Sequence, residues 1–493
     1  MTTSADYYDR LGIKPDASDE DIRKAYREAA RRLHPDINVE AGATELFIEL
    51  KEAYDVLSDP EKRSVYDGDS PEIQPPPVQT SIHYSRKSVS WLAEEQLVYA
   101  LINLDVLSDQ LEVKDEATPP INIALVLDCS TSMQGARLDV VKASAIELIR
   151  ELRPQDFFSI ISFNDRADVV LPAAYYANDR KSESRIHRLQ AKGGTEIFQG
   201  LNAGMTEVQR NLSPYYINHI ILITDGHTYG DEANCQELAE KAGQREIGIS
   251  CLGIGTDWND IFLDNISTST GGSCFYIHDP RDINNLLKEK FNGLGQVYVD
   301  GISLNLQTGS GVLLNYAYRL LPEANVIPIS SSLKLGNISK GSHLSILLEF
   351  ILSPISPSVL KALLAEGSFT FSVPKLGKST YRIPVTLSPA TSADTKAQPP
   401  PKKILEAMSR LTLYRMQEQA RVELEFGDYE NAANRLQNMA THLFSTGENE
   451  LAKTVLIEAQ NIQNQKVFSK EGRKRIKYGT QALSSPTDKK KVE

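Results

Sequence analysis

Residues 121–132 read INIALVLDCSTS, an apolar run that ends in short side chains carrying oxygen atoms. A near-continuous apolar run is typical of a strand that is buried on both faces of a parallel sheet. Similar runs follow at residues 157–163, 219–224 and 247–253, and helical segments lie between the runs, near residues 138–152, 197–212 and 235–244. This alternation predicts a doubly wound, Rossmann-like α/β domain, which we place at residues 119–297.

The polar cluster at the end of the first run contains Asp128, Ser130 and Ser132. Thr195 follows a Gly-Gly pair before a predicted helix, and Asp225 follows the run at residues 219–224. Ligands of open α/β sheets bind beyond the carboxyl ends of the strands, so we expect these five side chains to converge there. Two carboxylates and three hydroxyls are hard oxygen donors, which favour Mg²⁺ or Mn²⁺.

This set resembles the metal-ion-dependent adhesion site of von Willebrand factor A domains. The resemblance implies that Ser130, Ser132 and Thr195 bind the cation directly, and that Asp128 and Asp225 bind it directly or through water. It also implies a protein ligand whose acidic residue completes the coordination sphere. Cys129 lies between two of these ligands, and we expect it to point into the core because a thiolate suits Mg²⁺ poorly.

An amphipathic helix with one basic face is predicted near the amino terminus, where Ser18 can cap its start and apolar residues recur from Ile22 to Leu33. The basic residues of this face are Arg23, Lys24, Arg27, Arg31 and Arg32. Pro35 disfavours helical geometry at His34, so the helix is expected to end there. A second amphipathic helix follows around residues 47–57, and the two helices can share one apolar seam.

The triplet His34-Pro35-Asp36 between these two helices resembles the signature of the J domain of DnaJ-type co-chaperones. The resemblance implies an all-α domain that docks on a DnaK-type chaperone and stimulates the ATPase of that partner. By the same resemblance, the docking residues would be Arg23, Lys24, Arg27, His34, Pro35 and Asp36. A basic patch on one helix face would steer an acidic partner toward it.

The rest of the chain divides at two proline-rich stretches and at changes in the strand pattern. β-like runs on both sides of the α/β domain predict one β-sandwich that the α/β domain interrupts. The predicted divisions are a J domain at 1–69, a linker at 70–80, a split β-sandwich at 81–118 and 298–389, a second linker at 390–401, a helical bundle at 402–465 and a solvated basic tail at 466–493. The bundle is open to two interpretations, structural packing or partner binding.

Composition excludes several classes of protein. The net charge of −12 and a pI near 5.4 argue against general nucleic-acid binding. The sequence contains no apolar stretch long enough for a transmembrane helix, so we expect no membrane partner. The 4 cysteines lack Cys-x-x-Cys spacing, which is typical of reduced, buried thiols in a cytoplasmic protein.

We therefore expect a cytoplasmic co-chaperone or adaptor that is not itself an enzyme. The α/β domain would bind a client or partner protein, and the J domain would deliver a DnaK-type chaperone to it. One alternative is a substrate adaptor for an AAA-type ATPase. Another is a metal-dependent hydrolase, for which His227 is the candidate general base near Asp225.

Overall fold

The computed structural model describes most of the chain from residue 78 onward and a smaller part of the first 77 residues. The described residues are 11, 13, 17, 19–33, 50, 53–54, 57–58, 78–107, 118–175, 180–228, 230–357, 359–374, 380–394 and 399–483. The chain divides into two compact units, Met1–Pro75 and Pro76–Glu493. Within the described ranges, no helix combines the length and the apolar character that a membrane crossing needs.

The first unit contains helix α1 (Asp19–Leu33), whose apolar face packs on the other described helical positions. Ile22 is fully buried and shares a small apolar cluster with Ala53 and Leu57. Tyr26 stacks on Tyr54 with ring centroids 4.0 Å apart. The predicted apolar seam is therefore present, and Arg23 and Lys24 of α1 are exposed.

Among the elements whose bounds the structure gives, the second unit contains every strand and the helices that follow α1. Its strands are β1 (Val78–Tyr84), β2 (Ser88–Ser90), β3 (Gln96–Val106), β4 (Ile121–Asp128), β5 (Phe157–Phe163), β6 (Ala167–Tyr175), β7 (Ile217–Thr224), β8 (Gly248–Ile254), β9 (Cys274–Ile277), β10 (Val297–Thr308), β11 (Val312–Leu321), β12 (Asn325–Val326), β13 (Ser332–Ser339), β14 (His343–Leu352), β15 (Ala365–Ser372), β16 (Tyr381–Leu387) and β17 (Ala390–Ser392). Its helices are α2 (Ala136–Glu151), α3 (Arg180–His187), α4 (Ile197–Arg210), α5 (Glu232–Gln244), α6 (Asp260–Ser269), α7 (Ile283–Gly295), α8 (Lys402–Glu425), α9 (Tyr429–Ser445), α10 (Asn449–Gln465) and α11 (Lys470–Ala482).

A six-stranded sheet in the order β6-β5-β4-β7-β8-β9 forms the centre of the α/β part. Strands β4, β5, β7, β8 and β9 run parallel, and every residue of β4 and β7 is buried. Separate apolar clusters cover the two faces, one containing residues of α2 and α7 and the other containing residues of α4, α5 and α6. The predicted doubly wound α/β fold is confirmed, with an antiparallel edge strand, β6, that the apolar runs do not indicate.

Two antiparallel sheets form the β-sandwich, in the orders β1-β3-β14-β11-β12 and β13-β10-β15-β16. Strand β3 precedes the α/β part, yet it pairs along its length with β14, which follows it; Ile102 lies opposite Ile346. Residues from both sheets share one apolar cluster. The predicted sandwich, interrupted by the α/β domain, is therefore confirmed.

The predicted linker at residues 390–401 is wrong in its first part. Ala390–Ser392 form strand β17, which pairs in parallel with β2. The hydroxyl of Ser90 also donates to the carbonyl of Asp394 at 2.9 Å. Proline content indicates a linker from local sequence alone. It does not show that β2, about 300 residues earlier in the chain, pairs with this segment.

Four helices, α8 to α11, form the C-terminal part. Gly427 and Gly447 have φ values of +77° and +88°, a left-handed conformation that lets one helix end and the next begin within a few residues. Helix α8 also packs on the sandwich, where Leu411 joins a cluster with β-strand residues and Arg415 pairs with Glu349 at 2.7 Å.

The predicted solvated basic tail at residues 466–493 is wrong for Lys470–Ala482, which form α11. Lys474 is 0% exposed and Lys477 is 4% exposed, because both lie against the α/β part. The Nζ of Lys477 lies 2.7 Å from Asp260 and 2.5 Å from Asp264. The Nζ of Lys474 donates to the carbonyl of Trp258 at 2.7 Å and lies 3.5 Å from the centre of a Trp258 ring. We call this set of contacts the α11 contact.

Candidate functional site

The two predicted carboxylates lie side by side at one edge of the central sheet. Asp128 is the last residue of β4, and Asp225 directly follows β7. These strands are parallel neighbours, with Leu127 opposite Ile223, so their carboxyl ends meet at the same edge. The residues Asp128 and Asp225 are almost completely buried, with exposures of 0% and 1%.

Short hydrogen bonds hold the carboxylate of Asp128 in place. Its Oδ1 accepts from the backbone N–H of Ser130 at 2.8 Å, and its Oδ2 accepts from the hydroxyl of Thr224 at 2.6 Å. Burial raises the pKa of Asp128 to about 6, although these hydrogen bonds favour the ionised form. A nearby cation would favour ionisation further.

The two serines connect Asp128 to Asp225. The hydroxyls of Ser130 and Ser132 lie 3.0 Å apart, and the Ser132 hydroxyl donates to Oδ1 of Asp225 at 2.6 Å. Ser130 is buried, whereas Ser132 is exposed at the rim. The other oxygen of Asp225 pairs with the guanidinium of Arg137.

Thr195 approaches the same place from the loop before α4. A Cβ atom added to Gly226 would lie 3.1 Å from the Thr195 hydroxyl oxygen, so this hydroxyl lies close to the residue that follows Asp225. Gly193 has a φ of +75°, and Gly194 donates its N–H to Asp165 at 2.8 Å, which holds the loop.

The start of α4 is tied to the segment after Asp225. The backbone N–H of Ile197 donates to the Thr228 hydroxyl at 3.2 Å, and that of Phe198 donates to Asp231 at 2.9 Å. These contacts fix the Thr195 loop relative to the end of β7. The structure therefore joins Asp128, Ser130, Ser132 and Asp225 through hydrogen bonds, and it places Thr195 beside Gly226, the residue that follows Asp225.

The chemistry of this cluster fits a hard divalent cation. Its donors are carboxylate and hydroxyl oxygens, which suit Mg²⁺ and Mn²⁺ better than softer metals. Over the described part of the chain, no three His, Cys, Asp or Glu side chains form a metal-binding group, so hydroxyls are essential to this candidate. Cys129 is 3% exposed and joins the apolar core, as predicted, and burial raises its thiol pKa to about 12.

Sequence reasoning missed two residues that contact the candidate ligands, Thr224 and Arg137. Thr224 immediately precedes Asp225, and its position at the end of a predicted strand is a signal that was available. Arg137 lies in the first turn of α2 and gives no local signal, because its partner Asp225 is 88 residues away in sequence.

His227, the candidate base of the hydrolase alternative, lies in the loop after β7. Its pKa is lowered, first by burial and then by nearby cations, of which Lys474 of α11 contributes most. His227 therefore lies near the basic residues of α11. The sequence gives no indication of this arrangement.

The predicted chaperone-docking residues are only partly described. Arg23 and Lys24 are exposed on α1. Arg27 also belongs to α1, but its side chain lies outside the described part, as do His34, Pro35 and Asp36.

Models of protein families match the chain in three places. The DnaJ domain matches residues 6–67, the von Willebrand factor type A domain matches residues 122–289, and the Sll0103-like, C-terminal alpha-helical domain matches residues 402–486. The third match includes α11, in agreement with a C-terminal part of four helices.

Individual proteins match a large part of the chain or one short part of it. The uncharacterised protein sll0103 of Synechocystis sp. is 27% identical over 380 residues, which are 74% of this chain and 89% of that protein. The chaperone protein DnaJ of Enterococcus faecalis is 55% identical over 67 residues, and the chain spans only 17% of its length. A solved structure, the von Willebrand factor type A protein from Catenulispora acidiphila, has a TM-score of 0.64 at 15% identity, covering 84% of this chain and 98% of that one. This last likeness shows the fold alone.

Proposed function

We propose that this chain, which joins a DnaJ domain to a von Willebrand factor A domain and an Sll0103-like helical domain, is a co-chaperone or adaptor. Its A domain would bind a client or partner protein with the help of Mg²⁺ or Mn²⁺. Its J domain would bring a DnaK-type chaperone to that protein and stimulate the ATPase of the chaperone. The chain itself would carry out no catalysis.

The observation that supports this proposal is the hydrogen-bonded cluster of Asp128, Ser130, Ser132 and Asp225 at one edge of the sheet, with Thr195 beside Gly226. Ser130, Ser132 and Thr195 would hold the cation, with Asp128 and Asp225 binding it directly or through water. When bound, the cation supplies a strong electrostatic attachment for an acidic residue of the partner protein. Two carboxylates only balance a divalent charge, so a third carboxylate still binds favourably.

The chaperone-docking role rests on the J domain. Arg23 and Lys24 of α1 are exposed, whereas Ile22 of the same helix is buried in the apolar seam. Such a basic face would attract an acidic surface of the DnaK-type partner and raise the rate of association. By resemblance, Arg27, His34, Pro35 and Asp36 would complete the docking surface.

We propose that the chain and its DnaK-type partner meet in the cytoplasm. All four cysteines, Cys129, Cys235, Cys251 and Cys274, are free and buried. Free thiols are expected where glutathione and thioredoxin keep cysteines reduced.

One experiment tests both halves of the proposal. The full chain is used for a pull-down in Mg²⁺, with bound proteins identified by mass spectrometry, and for an assay of DnaK ATPase stimulation. Asp128→Ala should abolish Mg²⁺-dependent capture, whereas Asp139→Ala, which removes an exposed carboxylate of the same domain, should not. His34→Gln should abolish ATPase stimulation and leave capture intact, with the exposed His187→Gln as its control.

Capture that is indifferent to both EDTA and Asp128→Ala would refute the cation-dependent half. ATPase stimulation that survives His34→Gln would refute the chaperone half. Mg²⁺-dependent capture of an AAA-type ATPase, with no effect on DnaK, would favour the adaptor alternative. Phosphatase or peptidase turnover that disappears in His227→Ala would instead show an enzyme.

A further inference from the structure

Arg137 holds one of the five candidate ligands by its charge. Its guanidinium pairs with Oδ2 of Asp225, whose side chain is 0% exposed, while the side chain of Arg137 is 36% exposed. The same guanidinium lies 3.4 Å from the backbone carbonyl of Ser132. We infer that Arg137 is a tethered cation that competes with the divalent ion for Asp225, an inference that rests on the cation site of the proposed function.

Both oxygens of Asp225 already have partners. The hydroxyl of Ser132 donates to Oδ1 at 2.6 Å, and Arg137 occupies Oδ2. A divalent ion held by Ser132 and Asp225 would bring a double positive charge close to the guanidinium. Like charges that are close together repel strongly in a partly buried site. Each cation therefore weakens the binding of the other to Asp225. The ion therefore either displaces Arg137 from Asp225, or it binds more weakly because Asp225 remains paired with Arg137.

The turn that follows β8 also lies against the guanidinium of Arg137. Gly255 has a φ of +70°, and a Cβ atom at that position would lie 3.1 Å from Nη2 of Arg137. The indole N–H of Trp258 donates to the carbonyl of Gly255 at 2.8 Å and so holds this turn. The guanidinium thus fits a space that the backbone leaves for it. Once displaced, it would stay at the rim, where it can pair with an acidic group of the partner.

Mn²⁺ binding to the full chain tests this competition directly. Free Mn²⁺ is measured by electron paramagnetic resonance during titration of wild type, Arg137→Gln, Arg137→Lys and Arg188→Gln. Arg188 is an exposed arginine of the same domain, so its variant loses the same charge without touching the site. A charge-assisted hydrogen bond contributes enough free energy that Arg137→Gln should tighten Mn²⁺ binding by about tenfold or more. Arg137→Lys and Arg188→Gln should stay within about threefold of wild type.

Thermal unfolding gives a second readout. In EDTA, Arg137→Gln should unfold at a lower temperature than wild type, because the buried Asp225 loses its counter-charge. Saturating Mn²⁺ should raise the midpoint of Arg137→Gln more than that of wild type, because at a given Mn²⁺ concentration the stabilisation grows with the logarithm of the affinity.

Mn²⁺ affinity of Arg137→Gln that is equal to or weaker than that of Arg188→Gln would overturn the inference. If Arg137→Gln does not fold in EDTA, refolding on addition of Mn²⁺ supports the inference, and failure to refold overturns it. Wild type that binds no Mn²⁺, or Asp128→Ala that binds it equally well, would instead show that the proposed cation site is wrong. Failure of the inference and failure of the site are therefore distinguishable.

Discussion

Replacing Lys477 by methionine should release α11 from the α/β part. The Nζ of Lys477 lies between the carboxylates of Asp260 and Asp264, at 2.7 and 2.5 Å, and the lysine is 4% exposed. The substitution keeps most of the side-chain volume but leaves two carboxylates at a buried interface without this ammonium. Removing one partner of a buried ion pair typically costs about 3–5 kcal/mol. Arg473 still pairs with Asp260 at 2.8 Å, so we expect the lower end of that range.

A matched control lies about two turns earlier in the same helix. Lys470 pairs with Asp257 at 3.2 Å, but both side chains are more than two-thirds exposed, at 68% and 69%. Exposed pairs contribute about 0–1 kcal/mol, so Lys470→Met should change little. Both variants lose one positive charge from the same helix. A difference between them therefore reports the effect of burying the ion pair and not the effect of the change in net charge.

The thiol of Cys274 reports whether α11 is in place. It is 5% exposed, and the hydroxyl of Tyr478 on α11 lies 3.5 Å from its sulfur. Burial raises the pKa of this thiol well above its usual value, so alkylation requires opening. A cost of about 3 kcal/mol corresponds to a rate increase of about a hundredfold.

The assay is iodoacetamide labelling, with the modified cysteine identified by mass spectrometry. Cys235, which is 0% exposed in the same apolar cluster, serves as an internal reference that should stay protected. Equal labelling of Cys274 in Lys477→Met and Lys470→Met would refute the reasoning. So would simultaneous labelling of Cys235, because it would indicate global unfolding instead of release of α11.

Two further predictions concern other buried cations. Burial lowers the pKa of Lys474 to about 7, so the folded chain binds fewer protons than the unfolded chain between that value and about 10.4, and stability should rise with pH from 7 to 9. Urea unfolding at both pH values checks this, and Lys474→Met should lose that increase. Arg319 donates to the carbonyls of Gly271, Gly272, Leu335 and Glu323 across the junction of sandwich and α/β part. Arg319→Met should destabilise the chain by at least about 3 kcal/mol, against no more than about 0.5 kcal/mol for the exposed Arg86→Met, and equal midpoints in urea would contradict this.

Four strands of the α/β part, β4, β5, β7 and β8, could be predicted because each is an apolar run. Residues 121–127 and 219–224 are apolar without interruption, and both lie in the fully buried strands β4 and β7. The edge strand β6 has a mixed burial pattern, so its residues carry no comparable signal. Strand β17 is only Ala390–Ser392 and forms because β2 is beside it. Such short elements depend on a neighbour that local sequence does not reveal.

The amino-acid sequence alone determined the candidate ligands, because their spacing follows strand ends that periodicity predicts. Asp128, Ser130 and Ser132 follow one strand, and Asp225 follows another, so parallel pairing brings them together. The tertiary structure alone decided which charges are buried and what compensates them. Lys477 and Asp260 are 217 residues apart in sequence, and Arg137 and Asp225 are 88 apart. The electrostatic free energy of a charge depends on its distance from other charges and from water, and the fold sets both distances.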